Sequence, residues 1–262
     1  TGNLNMFHQS IGSLTLLDDY RRWRDRVFID ELFKSESRGQ SSDTQGGYYY
    51  PNGKAKAAGG ASLNAYTATE YASERFKFNV KTDLLEVVKS LRKRHVPVFA
   101  DGYYRCIADP SFMKDLRADQ GFREVARYPG MGQGSPLMGA GAPNQAIYAG
   151  GQYGQAQFVA GEPVMPSGFV FEGVRFFEST NFPSKTISVD IGDGNGASTR
   201  TTPAGLFFGP QAIGVGIGGP NAQVLINNND DFSRFIILIW QLYAGFANLN
   251  KDFITTSFTI TE

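Results

Sequence analysis

Histidine and cysteine are nearly absent from this chain, and their scarcity removes whole classes of chemistry. Two histidines, His8 and His95, stand among 262 residues, so an imidazole-based triad has almost nothing to be built from. His8 lies near the chain start and His95 beside Arg94 at a predicted helix end, neither in a nucleophile-elbow setting. The lone Cys106 forms no intrachain disulfide, suits a reducing compartment, and inside a predicted strand reads as a small buried hydrophobe. Net charge is missing as well. Lys+Arg 25 against Asp+Glu 25 leaves no global positive field to hold nucleic acid or an anionic membrane. No apolar run approaches the roughly twenty residues that span a bilayer; the longest, Phe235 to Trp240, is far too short. A signal-peptide start is absent, and a chain opening on Thr1 reads as a processed or partial product.

What is present is aromatic and loop-rich. Phe 21, Tyr 12 and Gly 31 are heavy against an ordinary composition, in which glycine runs at about 7%. Chains of this kind often bury surface against partners, and 262 residues suffice for one large domain or two small ones. Leu16, Tyr20, Trp23 and Val27 recur at helical spacing after Thr15, which predicts a capped amphipathic helix from Leu16 to about Phe33 with Trp23 in its core stripe. Its other face carries Arg21, Arg22, Arg24, Asp25, Arg26, Asp30 and Glu31, a solvated face whose three arginines in four positions also suit salt bridges to a neighbouring subunit. Residues 35–60 turn polar and small, with Tyr48, Tyr49 and Tyr50 ahead of Pro51-Asn52-Gly53, a predicted surface loop or hairpin tip. Thr82 is placed to cap a second helix with the stripe Leu84, Val87, Val88, Leu91; Lys89 and Arg92 to His95 then suit its C-terminus before Pro97.

Tyr104 to Ala108 reads as a strand broken at Asp109-Pro110, followed by a short helix that Ser111 caps and Gly121 ends. Residues 129–161, rich in Gly, Ala, Gln and Tyr, predict a long loop ordered by partners. Val170, Val174 and Phe176 alternate between glycines, and Ile187, Val189 and Ile191 alternate before a turn at Asp190–Gly196. Strand character resumes from Ala212 to Asn227, and β-branched residues favour a strand at Phe235 to Trp240. That strand and Phe253 to Thr261 are expected to pair as an antiparallel ribbon.

Sites for chemistry are sparse. Asp190, Asp193 and Asn195 mimic the opening of a calcium loop, yet Ala204 stands where its closing glutamate belongs. Asn227 to Asp231 offers oxygens but has a turn's composition. Gly130, Gly132 and Gly134 do not join a strand to a helix and no lysine follows them, so they make no phosphate cradle. Glu162, Glu172 and Glu178 could supply a carboxylate pair only if they converge in space. No catalytic residue, cofactor or metal is expected.

The run YRCIADPSFMKDLRADQGF, Tyr104 to Phe122, followed by GEPVMPSGFVFEGVRFFEST, Gly161 to Thr180, resembles in order and spacing the major capsid proteins of tailed bacteriophages. The resemblance extends from about Leu14 to Glu262. It implies an α+β Hong Kong phage capsid-like fold with a long spine helix, a peripheral domain and a wedge-shaped axial domain. The implied division is 1–13 as the end of an N-terminal arm or extended loop, 14–60 as spine helix and peripheral domain, 61–211 as axial domain and 212–262 as strands returning beside the spine helix. The implied function is that of a virion shell subunit rather than an enzyme, assembled in the host cytoplasm as pentamers and hexamers around double-stranded DNA. Portal and decoration proteins would be its partners, and no membrane is involved. Arg21, Arg22, Arg24, Tyr48, Tyr49, Tyr50, Glu162 and Glu172 are the candidate intersubunit contacts. Two alternatives stay open: an encapsulin-like nanocompartment subunit, and a carbohydrate-active or carbohydrate-binding β protein.

Overall fold

The structure is a computed structural model that describes residues 2–57, 60, 62–119, 169–218, 223–230, 235–241 and 243–261; for 2–17, 169, 223–230 and 235–241 it describes the backbone alone. The fold is α+β, and the chain divides into two compact units, Thr1–Lys34 with Ile213–Leu249, and Ser35–Ala212 with Asn250–Glu262. The unit boundaries lie at Lys34/Ser35, Ala212/Ile213 and Leu249/Asn250.

The first unit is a helix and a long ribbon. Helix α1 runs Gly2–Phe33, about 48 Å at 1.5 Å per residue. Thr15 lies inside this helix and not at its start. Strands β8 (Ile213–Ile217) and β11 (Ala244–Asn248) pair antiparallel, and between them β9 (Gln223–Asp230) pairs antiparallel with β10 (Phe235–Gln241). Four strands therefore form two separate pairs, nested in chain order. The strand expected at 235–240 is present, but its partner is the Asn-rich β9 and not the chain's end; Asn227 to Asp230 is strand rather than turn.

The second unit is built on a six-stranded mixed sheet in the order β1-β12-β7-β2-β4-β3. Its strands are β1 (Gly47–Tyr49), β2 (Tyr104–Ala108), β3 (Phe169–Phe171), β4 (Val174–Glu178), β7 (Ala204–Phe208) and β12 (Ile254–Phe258). The chain's last strand is inserted between β1, which it meets in parallel, and β7, so the expected ribbon of 253–261 with 235–240 does not form. The predicted strand β2 is present and alternates: Tyr104, Cys106 and Ala108 are buried while Arg105 and Ile107 are not. Against that face lie α3 (Leu85–Lys93) and α4 (Pro110–Ala118), sharing one core with Phe78, Phe176 and Phe207. Gly205 permits this approach, since a Cβ there would stand 2.8 Å from the Phe112 ring. A separate hairpin, β5 (Thr186–Val189) with β6 (Ser198–Thr201), buries Ile187, Val189 and Ile191 as their spacing predicts.

The helix caps differ from expectation by a few residues. Asp109, not Ser111, caps α4: its carboxylate accepts from the Ser111 amide at 2.9 Å with Pro110 in the first turn. Asn79, not Thr82, starts the second helix, because the chain enters through one wide π-turn, Val80–Leu84, and the Asn79 side chain accepts from the Thr82 amide at 2.9 Å. At the other end His95 takes a left-handed conformation, φ 56°. The Val96 amide then reaches the Leu91 carbonyl at 3.1 Å, a six-residue closure that ends the helix before Pro97 acts. Helix α2 (Ala68–Ala72), absent from the sequence reading, is fixed by a reciprocal Thr67–Glu70 capping box.

Candidate assembly surfaces

The three arginines of α1 lie on its hydrated face. Arg21, Arg22 and Arg24 are exposed; Arg22 pairs with Asp18 at 2.9 Å and Arg24 approaches Asp25 at 3.9 Å, all on well-hydrated side chains. Exposed pairs of this kind contribute only about 0.2–1 kcal/mol. Trp23 is only half-buried; among the described side chains of this helix the buried apolar ones are Ile29, Leu32 and Phe33.

The tyrosine triplet is not a surface. Tyr48, Tyr49 and Tyr50 are 8%, 8% and 2% exposed, because β1 carries them into the sheet beside β12. Tyr50 stacks on Phe258 at 4.8 Å, and the Tyr49 hydroxyl donates to Asp83 at 3.1 Å. A polar neighbourhood suggested a loop, but two parallel strands bury alternate aromatics from both sides of the triplet. Glu172 is exposed at the turn between β3 and β4, with φ 49°. Glu162, Gly130, Gly132, Gly134 and the predicted loop at 129–161 lie outside the described residues.

The residues weighed for chemistry hold the second unit together. Asp193 accepts from the Asn195 amide at 3.0 Å and pairs with Arg200 at 2.9 Å; Asp190 accepts from the Gly192 amide. Glu178 pairs with Arg117 at 2.8 Å. Cys106 is buried, and desolvation pushes its thiol well up, away from the thiolate a nucleophile needs. In the basic cluster, Lys89 and Lys93 pair with Glu86 and Asp43, whereas Arg94 is buried, donating to the Ser90 carbonyl at 3.2 Å and to Thr255 Oγ1 at 2.6 Å. Burial lowers its pKa to about 10. It pins helix to sheet, a role beyond helix-end electrostatics.

One buried acid escaped the sequence reading. Asp83 lines a cleft of about 350 Å³ with Asp43, Tyr49, Asn52, Thr82 and Glu86. Its own carboxyl is fully buried, accepting from Tyr49, from the Asn52 amide at 2.8 Å and from the Asn79 amide at 3.1 Å. Burial raises its pKa to about 6 against the lowering effect of those donors. The signal was its spacing with Val87 and Ser90, which puts it on the buried stripe. Among the described residues no group of three potential ligands converges on a metal position.

No family model matches the chain, and no curated protein does. Among solved structures, the capsid structure of cyanophage P-SCSP1u aligns over 97% of this chain and 66% of its own, at 16% identity and TM-score 0.48. A Mycobacterium phage structure aligns over 95% and 61%, at 14% identity and 0.42. The head structure of Helicobacter pylori bacteriophage KHP40 aligns over 94% and 68%, at 12% identity and 0.45. By structure the chain is similar to phage capsids. It spans less than two thirds of the length of the first two of these chains, at 66% and 61%.

Proposed function

We propose that this chain is the shell-forming subunit of a tailed-phage head, many copies of which assemble as pentamers and hexamers around double-stranded DNA. The observation that carries the reading is the build of the first unit. Among its described side chains only Ile29, Leu32 and Phe33 are buried apolar residues, while Val215, Ile217, Tyr243 and Leu249 are 53–66% exposed. A long helix and a two-stranded ribbon offer few interior positions, and a lone ribbon is marginally stable in water. Contact with neighbours would supply the missing burial, as extended and individually weak interfaces do in a lattice. The sequence run through β2, Asp109-Pro110 and α4, together with acids and a thiol engaged in structural bonds, supports a structural role over a catalytic one. In this assignment the first unit is the peripheral domain and the second the axial domain.

Negative-stain microscopy and sedimentation of the purified protein test it. Closed shells of uniform size are expected, with nuclease-protected DNA when they form in infected cells. Shells that instead hold a cargo enzyme would favour the nanocompartment reading. A monodisperse monomer at high concentration would sink both.

A further inference from the structure

The turn between β3 and β4 carries an acid that the described fold does not use. Phe171 pairs with Val174, so Glu172 and Gly173 form a two-residue turn, and both take positive φ, 49° and 80°. Such a turn favours Asn, Asp or Gly at its first position, where a longer side chain strains the backbone. Glu172 is exposed, and among the described residues its carboxylate makes no ion pair or hydrogen bond. Arg92 comes close to the turn, since a Cβ on Gly173 would stand 3.3 Å from its guanidinium, yet the two do not pair. A strained acid with no partner inside the subunit points to a use outside it.

Close by, the same sheet holds surplus positive charge. Strands β2 and β4 run parallel in a register that sets Arg105 beside Arg175. Both guanidiniums share one carboxylate oxygen: Asp101 Oδ2 accepts from Arg105 at 2.9 Å and from Arg175 at 3.1 Å, while its Oδ1 accepts from the Tyr103 amide at 3.4 Å. Like charges side by side on neighbouring strands are destabilising, and two cations on one anion leave a positive charge over, on side chains only 23–28% exposed. Arg175 Nε is buried and has no acceptor among the described residues, which costs free energy until one is supplied. Aromatic rings hold the pair in place: Phe99 and Phe177 lie 4.9 and 5.4 Å from the Arg105 guanidinium, and Tyr103 lies 5.7 Å from that of Arg175. Guanidiniums fixed in this way are preorganised for a carboxylate.

The group that fits is a single carboxylate and not a nucleic-acid backbone. Holding a duplex takes several neutralised phosphates, and here one surplus charge stands on a chain with Lys+Arg 25 against Asp+Glu 25. We propose that Glu172 of one copy of the chain binds between Arg105 and Arg175 of a neighbouring copy. The inference rests on the shell reading above and names one of its contacts. Each half lacks within its own subunit what the other presents, a negative charge against a positive one, and opposite charges so placed fix which surfaces meet and in what register.

Exchanging the charges tests this in the full chain. Glu172→Gly relieves the turn, so its melting temperature should equal or exceed the wild type's while assembled material, read by sedimentation, falls about tenfold or more, since the contact recurs at every subunit. Glu172→Arg and Arg175→Glu should each fail to assemble alone, the first by setting a cation against the arginine pair, the second by turning the site negative. Mixed, the two should assemble again, because the arginine introduced at 172 meets the negative site of the other variant, whose own Glu172 meets an intact pair. Wild-type assembly by Glu172→Gly would overturn the contact and leave the shell reading intact. Rescue by both changes in one chain but not by the mixture would also overturn it, by placing the ion pair within a subunit. Should Arg175→Glu unfold, the Glu172→Gly result decides. A wild-type chain that never assembles would overturn the shell reading as well.

Discussion

Asp83→Asn should erase a dependence of stability on pH that the wild-type chain carries between about pH 4 and pH 6. The carboxyl is fully buried and accepts from two backbone amides and one tyrosine hydroxyl. Burial dominates, raising its pKa from 3.8 to about 6, while the Asn79, Asn52 and Tyr49 donors and the nearby Arg75 pull downward without overcoming it. A pKa raised in the folded state means that folding favours the protonated acid. The stabilisation is therefore complete below the unfolded value near 4 and is lost as pH rises through about 6. A shift of about two units corresponds to about 3 kcal/mol at 1.36 kcal/mol per unit. Asp43, Glu70 and Asp193, whose pKa values are lowered by bonds to Lys93, Thr67 and Asn195, push the total the opposite way, but equally in both proteins. Subtracting the variant's profile from the wild type's isolates Asp83. Asparagine keeps an acceptor for Tyr49 and Asn52 but turns an amide donor toward the Asn79 N–H, a pH-independent cost of about 1–3 kcal/mol. Urea denaturation at half-unit steps from about pH 4 to 7.5 should give a difference curve with an amplitude of about 3 kcal/mol. A curve flat to within about 0.5 kcal/mol would refute the argument that this acid is desolvated on folding.

Phe207, fully buried among Phe78, Phe112 and Phe176, should cost about 3–5 kcal/mol when truncated to alanine, measured by chemical denaturation; a loss below about 1 kcal/mol would mean the ring cluster is not packed as described. Asp109→Ala should lose about 1 kcal/mol through the missing cap on α4, and Asp109→Asn should restore most of it. Trp23→Ala should lower stability by about 1–2 kcal/mol, less than a core tryptophan would, because the indole is half-buried. Reversing Arg21, Arg22 and Arg24 together to Glu should leave the melting transition near that of wild type but reduce shell yield in micrographs; normal shells would remove these arginines from assembly.

Periodicity made most of the local structure legible. Alternation in Tyr104–Ala108 and in Ile187–Ile191, and the Leu84–Leu91 stripe, depend only on which face of an element is apolar, and that is written in neighbouring residues. Asp109-Pro110 likewise ends a strand and opens a helix by local bonding alone. Tertiary structure decided what local rules leave open. Tyr48 to Tyr50 look like loop residues until β12, some two hundred positions away, pairs beside them; β10, by contrast, pairs with its immediate neighbour β9, whose asparagine-rich end has the composition of a turn. Asp83 became an unusual acid only once Tyr49, Asn52 and Asn79 closed over it, since desolvation is a property of the folded surroundings and not of the residue.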